Sequence, residues 1–425
     1  MNDKIRWVAI QPLTGGMYLG AEEAIGHPAE WILTYQGLDE IKYDKEGNPT
    51  SVANEAYLLK YLNKVNREVP YYKMKKQMFD GNIDDLDPEI TLNGELAKPN
   101  YDNLDLVVAV PVCSGLSMVT SAKDDTKNER NSNMLFLANL TLKKIKPKIY
   151  IFENAPTLMG SRGEELRKQF EELAEETGYG LIYYKTDTWL HENCQKRPRT
   201  FVMFVKFIDG EKKLPKLDFE SKKLSIEDFF NSIPEGLSNN DECIAMPHNY
   251  LVIDFFKQKH GDEWLDKING CLMKEVVKYN LFDELLEFME DYEHPTLNKE
   301  KTKKYIDHIK YKTGMGLNWY GSDVCYYKEH FPAIQFRSIT TTLHPSGNRI
   351  CSVREYLELM GMPHDFDWFG SEGNLPKIGQ NVPLKTAKFI TNLAKNSIFK
   401  WNNTDRECGS VIYYDNTTKK IRYMK

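Results

Sequence analysis

Apolar, strand-like runs alternate with amphipathic helical runs through the first half of the chain, and this alternation limits the possible folds more than any other feature. The runs RWVAIQPL, AEWILTYQ and LDLVVAV are typical of strands. The run GEELRKQFEELAEETG is typical of a helix, with Leu166, Phe170, Leu173 and Ala174 on one face and Gly178 as its expected C-cap. Such βαβ succession predicts an α/β fold with a doubly wound sheet and helices on both faces.

The stretch LDLVVAVPVCSGLS predicts a buried strand that runs into a proline, a cysteine and small residues. In open α/β sheets, ligands bind at the edge formed by the carboxyl ends of the strands. Cys113 is therefore a candidate reactive thiol at that edge. A free cysteine also packs well as a small buried hydrophobe, so the stretch alone leaves both interpretations open.

Composition narrows the class of protein. The chain has 425 residues, of which 41% are hydrophobic and 28% charged, enough for two or three domains with substantial cores. It contains no apolar run long enough to span a bilayer, and its N-terminus lacks a secretory signal, so we expect a cytoplasmic protein with no membrane partner. Its seven cysteines are scattered and include no Cys-x-x-Cys pair, which argues against a disulfide framework and a zinc site. We expect no metal.

Charge gives a local rather than a global signal. The net charge of −6 does not indicate a nucleic-acid-binding protein, since such domains are often basic. The stretch from Asn298 to Ser322, however, holds six lysines against Glu300 and Asp307, with aromatic residues and glycines between them. Lysines beside aromatic residues suit contacts with phosphates and bases. A solvated helix face followed by a turn explains the same stretch equally well.

The strand and helix alternation stops near Asp209 and returns after Phe336. We therefore predict a first catalytic segment at 1–208, a smaller mixed domain at 209–336, a return to the catalytic domain at 337–400 and a C-terminal hairpin at 401–425. In the returning segment, Ser352 and Glu355 have capping-box spacing, and Gly361 can end the helix that they begin.

Read in chain order, the ends of the expected strands resemble the motifs of the DNA cytosine-5 methyltransferase family. Single motifs of this kind occur by chance, but six in the family's order are specific. The resemblance covers most of the chain outside the 209–336 segment. The matching stretches are TGGMYLGAEEAIG, PVCSGLS, FENAP, QKRPR, RICSVREYLELMGMPHDF and IGQNVPLKTAKFI.

The resemblance implies a catalytic set of Cys113, Glu153, Arg197 and Arg199. Carbon 5 of cytosine is a poor nucleophile until a group adds at carbon 6, and a thiolate suits that addition because it is strongly nucleophilic and can leave again. By resemblance, Cys113 is the nucleophile and Glu153 the carboxyl group at ring nitrogen 3, with Asn154 bracing the loop beside it. The arginines can hold the glutamate, the ring carbonyl or a phosphate.

The resemblance also implies a Rossmann-like, S-adenosylmethionine-dependent methyltransferase domain. Gln11 and Leu13 stand where the family usually has a phenylalanine and a glycine, and Gln36 stands near the usual ribose-binding acid. An altered donor or weak donor binding is therefore an alternative to the ordinary reaction. The donor-binding residues matched by position are Gly15, Gly16, Gln36, Asn82, Ile83, Pro111, Asn381 and Val382.

The implied partner is double-stranded DNA, from which family enzymes flip the target cytosine. By position, residues 209–336 are the target recognition domain, and we expect a monomer associated with the nucleoid. Restriction-modification, viral self-protection and regulation remain open as roles. An RNA acceptor and a silent DNA-binding relative remain as alternative functions. The candidate DNA-binding residues are Ser114, Ser117, Lys301, Lys303, Lys304 and Trp319.

Overall fold

The computed structural model describes most of the chain. The described residues are 4–75, 86–111, 116, 129–207, 213–219, 221–241, 243, 247–295, 297–315, 324–334, 341–396, 406–408 and 410–423. The strands are β1 (Trp7–Ile10), β2 (Ile32–Thr34), β3 (Lys42–Tyr43), β4 (Pro49–Ser51), β5 (Tyr71–Met74), β6 (Ile90–Leu92), β7 (Glu95–Leu96), β8 (Leu106–Ala109), β9 (Ile149–Asn154), β10 (Tyr179–Asp187), β11 (His191–Asn193), β12 (Gln195–Lys196), β13 (Pro198–Lys206), β14 (Lys213–Pro215), β15 (Lys222–Lys223), β16 (Gly270–Cys271), β17 (Cys325–Tyr326), β18 (Phe331–Pro332), β19 (Arg406–Cys408), β20 (Val411–Asp415) and β21 (Lys420–Tyr423).

The helices fall into two groups, one flanking the large sheet and one between β15 and β17. The α-helices are α1 (Gly16–Ile25), α2 (Asn54–Lys64), α3 (Glu129–Asn139), α4 (Glu164–Thr177), α5 (Ile226–Asn231), α6 (Pro247–His260), α7 (Leu272–Lys278), α8 (Phe282–Asp291), α9 (Lys299–Gly314), α10 (Val353–Leu359) and α11 (Leu384–Ala394). Shorter 3₁₀ segments include Pro156–Met159 and Glu372–Gln380, and a π-helical segment, Leu140–Ile145, continues α3.

Within the described residues, eleven strands form one sheet in the order β21-β20-β10-β13-β9-β8-β1-β2-β5-β6-β7. Its centre is parallel, since β8 pairs in parallel with both β1 and β9, and β2 joins β1 to β5 in the same sense. The strand β13 runs antiparallel to both of its neighbours, β9 and β10. The carboxyl ends of β1, β2, β8 and β9 therefore meet at one edge of the sheet.

Alternate residues of the central strands feed two separate cores, one on each face of the sheet. Ala9 and Val108 face the core that contains α1, α2 and α11, whereas Val8 and Val107 face the core that contains α3 and α4. Both faces are thus covered by helices, as the βαβ succession predicts. The burial of both faces explains why these strands are almost continuously apolar.

Local signals were reliable guides to helix ends. Gly178 ends α4 in the left-handed conformation at φ +77°, and Gly361 follows α10 at φ +68°. Ser352 and Glu355 form the full capping box, with the Ser352 side chain on the Glu355 N–H and the Glu355 carboxylate on the Ser352 N–H. These predictions are confirmed.

The C-terminal hairpin forms where the sequence predicts it, with β20 antiparallel to β21. It is not a separate unit, however, because β20 also pairs in parallel with β10 and extends the large sheet. The five helices α5 to α9 lie outside that sheet, in the segment assigned by sequence to target recognition. Among the described residues, no helix is both long and apolar enough to cross a membrane.

Candidate active site

Glu153 and Arg199 form an ion pair at the carboxyl edge of the sheet. Glu153 is the penultimate residue of β9, and the antiparallel register of β13 places Phe201 opposite it and Arg199 two residues further along. The Arg199 Nε contacts Glu153 Oε1, and Arg199 Nη1 donates to the Pro198 carbonyl at 2.8 Å. The glutamate side chain is 5% exposed and the arginine side chain 20% exposed, so the pair is buried on one side and open to solvent on the other.

Asn154 fixes the backbone immediately after Glu153. Its side chain is fully buried, and its Oδ1 accepts a hydrogen bond from the Ala155 N–H at 2.8 Å. Its Nδ2 contacts Met134 Sδ on α3. These contacts hold the turn beside Glu153 against the helix layer, which limits how far the carboxyl group can shift.

Close to Cys113, the structure describes only Pro111 and Leu116. Cys113, Ser114 and Ser117 lie outside the described residues. Before them, Pro111 directly follows the end of β8, and after Cys113 the buried Leu116 accepts a hydrogen bond at its carbonyl from the Thr157 hydroxyl. Thr157 belongs to the short helix that follows β9. Both described flanks of the loop thus lie at the same sheet edge as Glu153.

Arg197 has a different environment from Arg199. It lies between β12 and β13, outside regular strand pairing, so strand alternation does not bring it to the same place. Its guanidinium is buried and donates to three backbone carbonyls, those of Ile334 at 2.8 Å, Gly379 at 2.6 Å and Asn381 at 3.1 Å. The structure therefore brings only Arg199 to Glu153, while Arg197 ties the 379–381 segment to the sheet.

The glycine turn and the closing motif, far apart in sequence, contact each other directly. Gly16 donates its N–H to Asn381 Oδ1 at 2.8 Å, and the same oxygen accepts from the Val382 N–H at 3.0 Å. A Cβ on Gly16 would lie 1.9 Å from the Val382 carbonyl oxygen, so only glycine fits. Gly15 adopts φ +111°, which also favours glycine. Four of the predicted donor-site residues thus form one cluster.

The substituted positions of the glycine turn keep a glycine-like backbone. Leu13 has φ +51° and Gln11 has φ +50°, in the left-handed region that costs a non-glycine residue about 1–2 kcal/mol. Gln11 is buried, and within the described part of the chain neither its Oε1 nor its Nε2 has a hydrogen-bond partner. The Thr14 hydroxyl is in the same situation. Buried polar atoms without partners are costly, and a polar ligand would satisfy them.

Of the other residues predicted for the donor site, the structure describes Gln36 but not Asn82 and Ile83. Gln36 follows β2, and its backbone carbonyl accepts from the hydroxyls of Thr34 and Tyr71. The unpartnered amide of Gln11 and the hydroxyl of Thr14, beside the Gly15–Gly16 turn, suit a ligand with several hydrogen-bonding groups, as S-adenosylmethionine has.

Glu55 belongs to none of the motifs recognised in the sequence. This residue lies in the first turn of α2 and is only 5% exposed. Burial raises the pKa of its carboxyl group to about 7. The signal available in the sequence was an acid within the mostly apolar run VANEAYLL, but a glutamate in the first turn of a helix is common for its favourable interaction with the helix dipole.

The candidate DNA-binding lysines lie on one exposed side of α9. Lys301, Lys303 and Lys304 face solvent, while Thr302 and Ile306 are buried on the opposite side. Lys304 pairs with Glu300 at 2.6 Å, whereas Lys301 and Lys303 make no ion pair with a described residue. A solvated helix face, one of the two interpretations left open above, describes this segment, and DNA contact stays a prediction. Trp319 lies outside the described residues.

The family described as C-5 cytosine-specific DNA methylase matches residues 64–396, well over half of the chain, beginning at the last residue of α2. No curated protein matches the chain.

Solved structures align over nearly the full length at low identity. A prophage-encoded Escherichia coli protein assigned as a DNA modification methyltransferase is 16% identical, with a TM-score of 0.46, over 93% of this chain and 99% of its own. The Entamoeba histolytica methyltransferase EhMeth is 14% identical, with a TM-score of 0.49, over 93% and 99%. The S. pombe Dnmt2 methyltransferase is 12% identical, with a TM-score of 0.42, over 92% and 98%.

The family match confirms the resemblance read from the motifs, and with the mixed sheet it confirms the α/β, Rossmann-like fold. The described portion of the matched range includes Glu153, Arg199 and the 379–382 segment. The chain belongs to the C-5 cytosine-specific DNA methylase family.

Proposed function

We propose that this protein is a DNA cytosine-5 methyltransferase that transfers a methyl group from S-adenosylmethionine to carbon 5 of a flipped-out cytosine, through a covalent adduct with Cys113. The observation that carries the proposal is the Glu153–Arg199 pair. It lies at the end of β9, beside the strand β8 that leads into Cys113. The family match supports the reaction class, and the geometry supports the division of roles.

The proposed chemistry begins with the Cys113 thiolate. Its sulfur forms a bond to carbon 6 of the cytosine, and the electrons of the 5,6 double bond are delocalised over carbon 5, carbon 4 and ring nitrogen 3, so that carbon 5 becomes nucleophilic. S-adenosylmethionine would supply an electrophilic methyl group to carbon 5 and leave as S-adenosylhomocysteine. Loss of the carbon 5 proton to a base then re-forms the double bond and breaks the sulfur bond, which returns Cys113 to the thiolate.

Glu153 and Arg199 act on the polar edge of the same ring. Thiolate addition places negative charge on ring nitrogen 3, and a carboxyl group hydrogen-bonded there stabilises that charge. Arg199 fixes the orientation of Glu153. Its guanidinium is partly exposed and has further N–H donors for the neighbouring ring carbonyl. The two side chains together recognise the edge that distinguishes cytosine from thymine.

Arg197 is a positioning residue in this proposal. Two of its three hydrogen bonds to backbone carbonyls hold the 379–381 segment, and the third goes to Ile334. Asn381 of that segment accepts from the Gly16 N–H. Arg197 thus connects the catalytic strand to the donor side of the site. Gln11 and Thr14, whose side-chain polar atoms have no partner among the described residues, would bind S-adenosylmethionine directly. Gly15, Gly16, Pro111, Asn381 and Val382 would form the surrounding backbone of the donor site.

The proposed acceptor is duplex DNA, which places the protein with the DNA of the cell. Methyl transfer from labelled S-adenosylmethionine to mixed-sequence duplex DNA and to a tRNA pool tests this directly. We expect label in the DNA and none in the tRNA. Label in the tRNA alone would replace the proposal by RNA methylation, and no label in either would favour a silent binder or an altered donor.

We also propose that the exposed face of α9 contacts the DNA backbone. Changing Lys301, Lys303 and Lys304 to glutamine should weaken DNA binding and reduce the slope of log K against log salt by up to about 2.7, because each phosphate contact contributes about 0.9. Fluorescence anisotropy over a salt series measures this slope. The matched control is Lys42→Gln with Lys45→Gln, two exposed lysines on the β3–β4 hairpin. An unchanged slope in the triple variant would place the DNA elsewhere.

A further inference from the structure

The end of β2 lacks an acid at the place where α/β nucleotide-binding folds usually recognise a ribose. In those folds, a carboxylate that follows the second strand accepts hydrogen bonds from the ribose hydroxyls. Here β2 ends at Thr34, and Gln36 follows. The next acids, Asp39 and Glu40, are exposed and both pair with Lys73, at 2.5 and 2.8 Å. Neither is free to face the strand end.

Glu55 brings a carboxylate to this place from a neighbouring element. The Thr34 hydroxyl faces the Glu55 carboxyl group, and it also accepts from the Gln36 N–H at 3.3 Å. One turn further along the same face of α2, Leu58 packs so closely on Gly15 that an added Cβ there would lie 2.8 Å from Leu58 Cδ1. Glu55 therefore lies between the glycine turn and the end of β2.

One oxygen of this carboxylate has no partner. Within the described part of the chain, Glu55 Oε2 is buried without a hydrogen bond. Lys377 faces the group, but its ammonium is hydrogen-bonded to the Val52 carbonyl and to Asn374 Oδ1. An unpaired buried carboxylate destabilises a fold, so its presence beside a glycine turn indicates a missing hydrogen-bond donor.

We propose that Glu55 accepts the hydrogen bonds of the ribose hydroxyls of the adenosyl donor, in place of an acid at the end of β2. This inference rests on the proposed function, since it needs an adenosyl ligand. A carboxylate can accept from both hydroxyls at once, and each such bond is charge-assisted. The helix α2 thereby supplies the specificity that the strand end has lost.

Calorimetric titration with S-adenosylhomocysteine and with its analogue lacking both ribose hydroxyls tests this pairing. We expect the wild type to prefer the hydroxylated ligand by about a hundredfold, from two charge-assisted bonds. Glu55→Gln should reduce that preference to about tenfold or less, and Glu55→Ala should abolish it. If Glu55 had only a structural role, its replacement would lower the affinity for both ligands equally and leave the preference intact.

A second measurement, the stability of the ligand-free protein, separates the two roles without any ligand. The pKa of Glu55 in the fold is about 7, above the ordinary 4.5, so its contribution to stability is present below pH 4.5 and is lost as the pH rises through 7. Lys377, Tyr35 and Tyr71 also face this carboxyl group. We expect Glu55→Gln to melt higher than wild type at pH 8 and to lose most of that advantage at pH 5.5.

Four outcomes would overturn the proposal. If Gln36→Ala abolishes the hydroxyl preference and Glu55→Gln keeps it, recognition uses the strand end. If Glu55→Gln both melts lower at pH 8 and keeps the preference, Glu55 is structural. If the wild type binds neither ligand, the proposed function fails together with this inference, whereas equal binding by wild type and Glu55→Gln overturns the inference alone.

Discussion

Replacing Glu153 by glutamine is expected to lower the rate of methyl transfer by about 10²- to 10⁴-fold, the usual effect of removing a general acid or base. Glutamine has nearly the same shape but cannot carry the proton that ring nitrogen 3 requires. It also cannot form the charged contact with Arg199. The rate should be measured under single-turnover conditions with saturating DNA and donor, so that the chemical step is observed.

The control for this prediction is Glu95→Gln, which changes an exposed acid on β7 at the far end of the sheet. It should leave the rate within about twofold of wild type. Thermal melting of both variants checks that the fold is retained. A Glu153→Gln enzyme that works within tenfold of wild type would show that another group handles nitrogen 3, and the assignment of Glu153 would be wrong.

Replacing Gly16 by alanine is expected to have the largest effect on stability among single-methyl changes at the site. The added Cβ would lie 1.9 Å from the Val382 carbonyl oxygen and 2.9 Å from both polar atoms of the Asn381 amide. Overpacking typically costs about 1–3 kcal/mol. We expect a loss of about 3–4 kcal/mol in the free energy of unfolding here, because the oxygen that the Cβ would meet belongs to the backbone and cannot move aside easily. The Gly16 N–H bond to Asn381 would be lost as well.

Urea unfolding measures this change in the free energy of unfolding. The matched control is Gly314→Ala at the end of α9, where an added Cβ meets nothing within 4 Å. That variant should be unchanged or slightly more stable, since alanine restricts the unfolded chain. An unfolding midpoint for Gly16→Ala equal to that of Gly314→Ala would mean that the glycine turn and the closing motif do not meet as described.

The parts of the fold that the sequence predicted are those encoded within a few neighbouring residues. The capping box of α10 needs only Ser352 and Glu355, and the end of α4 needs only Gly178. The burial of β8 on both faces follows from an unbroken apolar run, which has no other stable place in an α/β protein. The order of motifs then gave the family, which the family match confirms.

The parts that escaped the sequence depend on contacts between distant segments. Arg197 and Arg199 are two residues apart and belong to one motif, yet only Arg199 reaches Glu153, because Arg197 lies at a break between two strands and finds carbonyls from the 334 and 379–381 segments. The pairing of β20 with β10 joins residues more than two hundred positions apart. No local pattern encodes either contact.

Glu55 illustrates another reason why the sequence did not reveal the whole site. An acid in the first helical turn is ordinarily a solvated group near the helix dipole, and the mostly apolar run around Glu55 does not by itself show that this one is buried. Its environment is set by the packing of α2 on the glycine turn and on the end of β2. Glu55 can therefore be recognised as a candidate site residue only when its burial and its neighbours are known.

The most direct test of the proposed reaction presupposes neither a target sequence nor a particular donor. Wild type and Cys113→Ala are expressed in a host that lacks cytosine-5 modification, and the genomic DNA is digested to nucleosides for mass spectrometry. We predict 5-methyldeoxycytidine in the wild-type sample and none in the Cys113→Ala sample, with equal amounts of both proteins in the cells. A heavier modified cytosine would indicate a different donor. The absence of any Cys113-dependent nucleoside from the wild-type DNA would contradict the proposed methyl transfer through this cysteine.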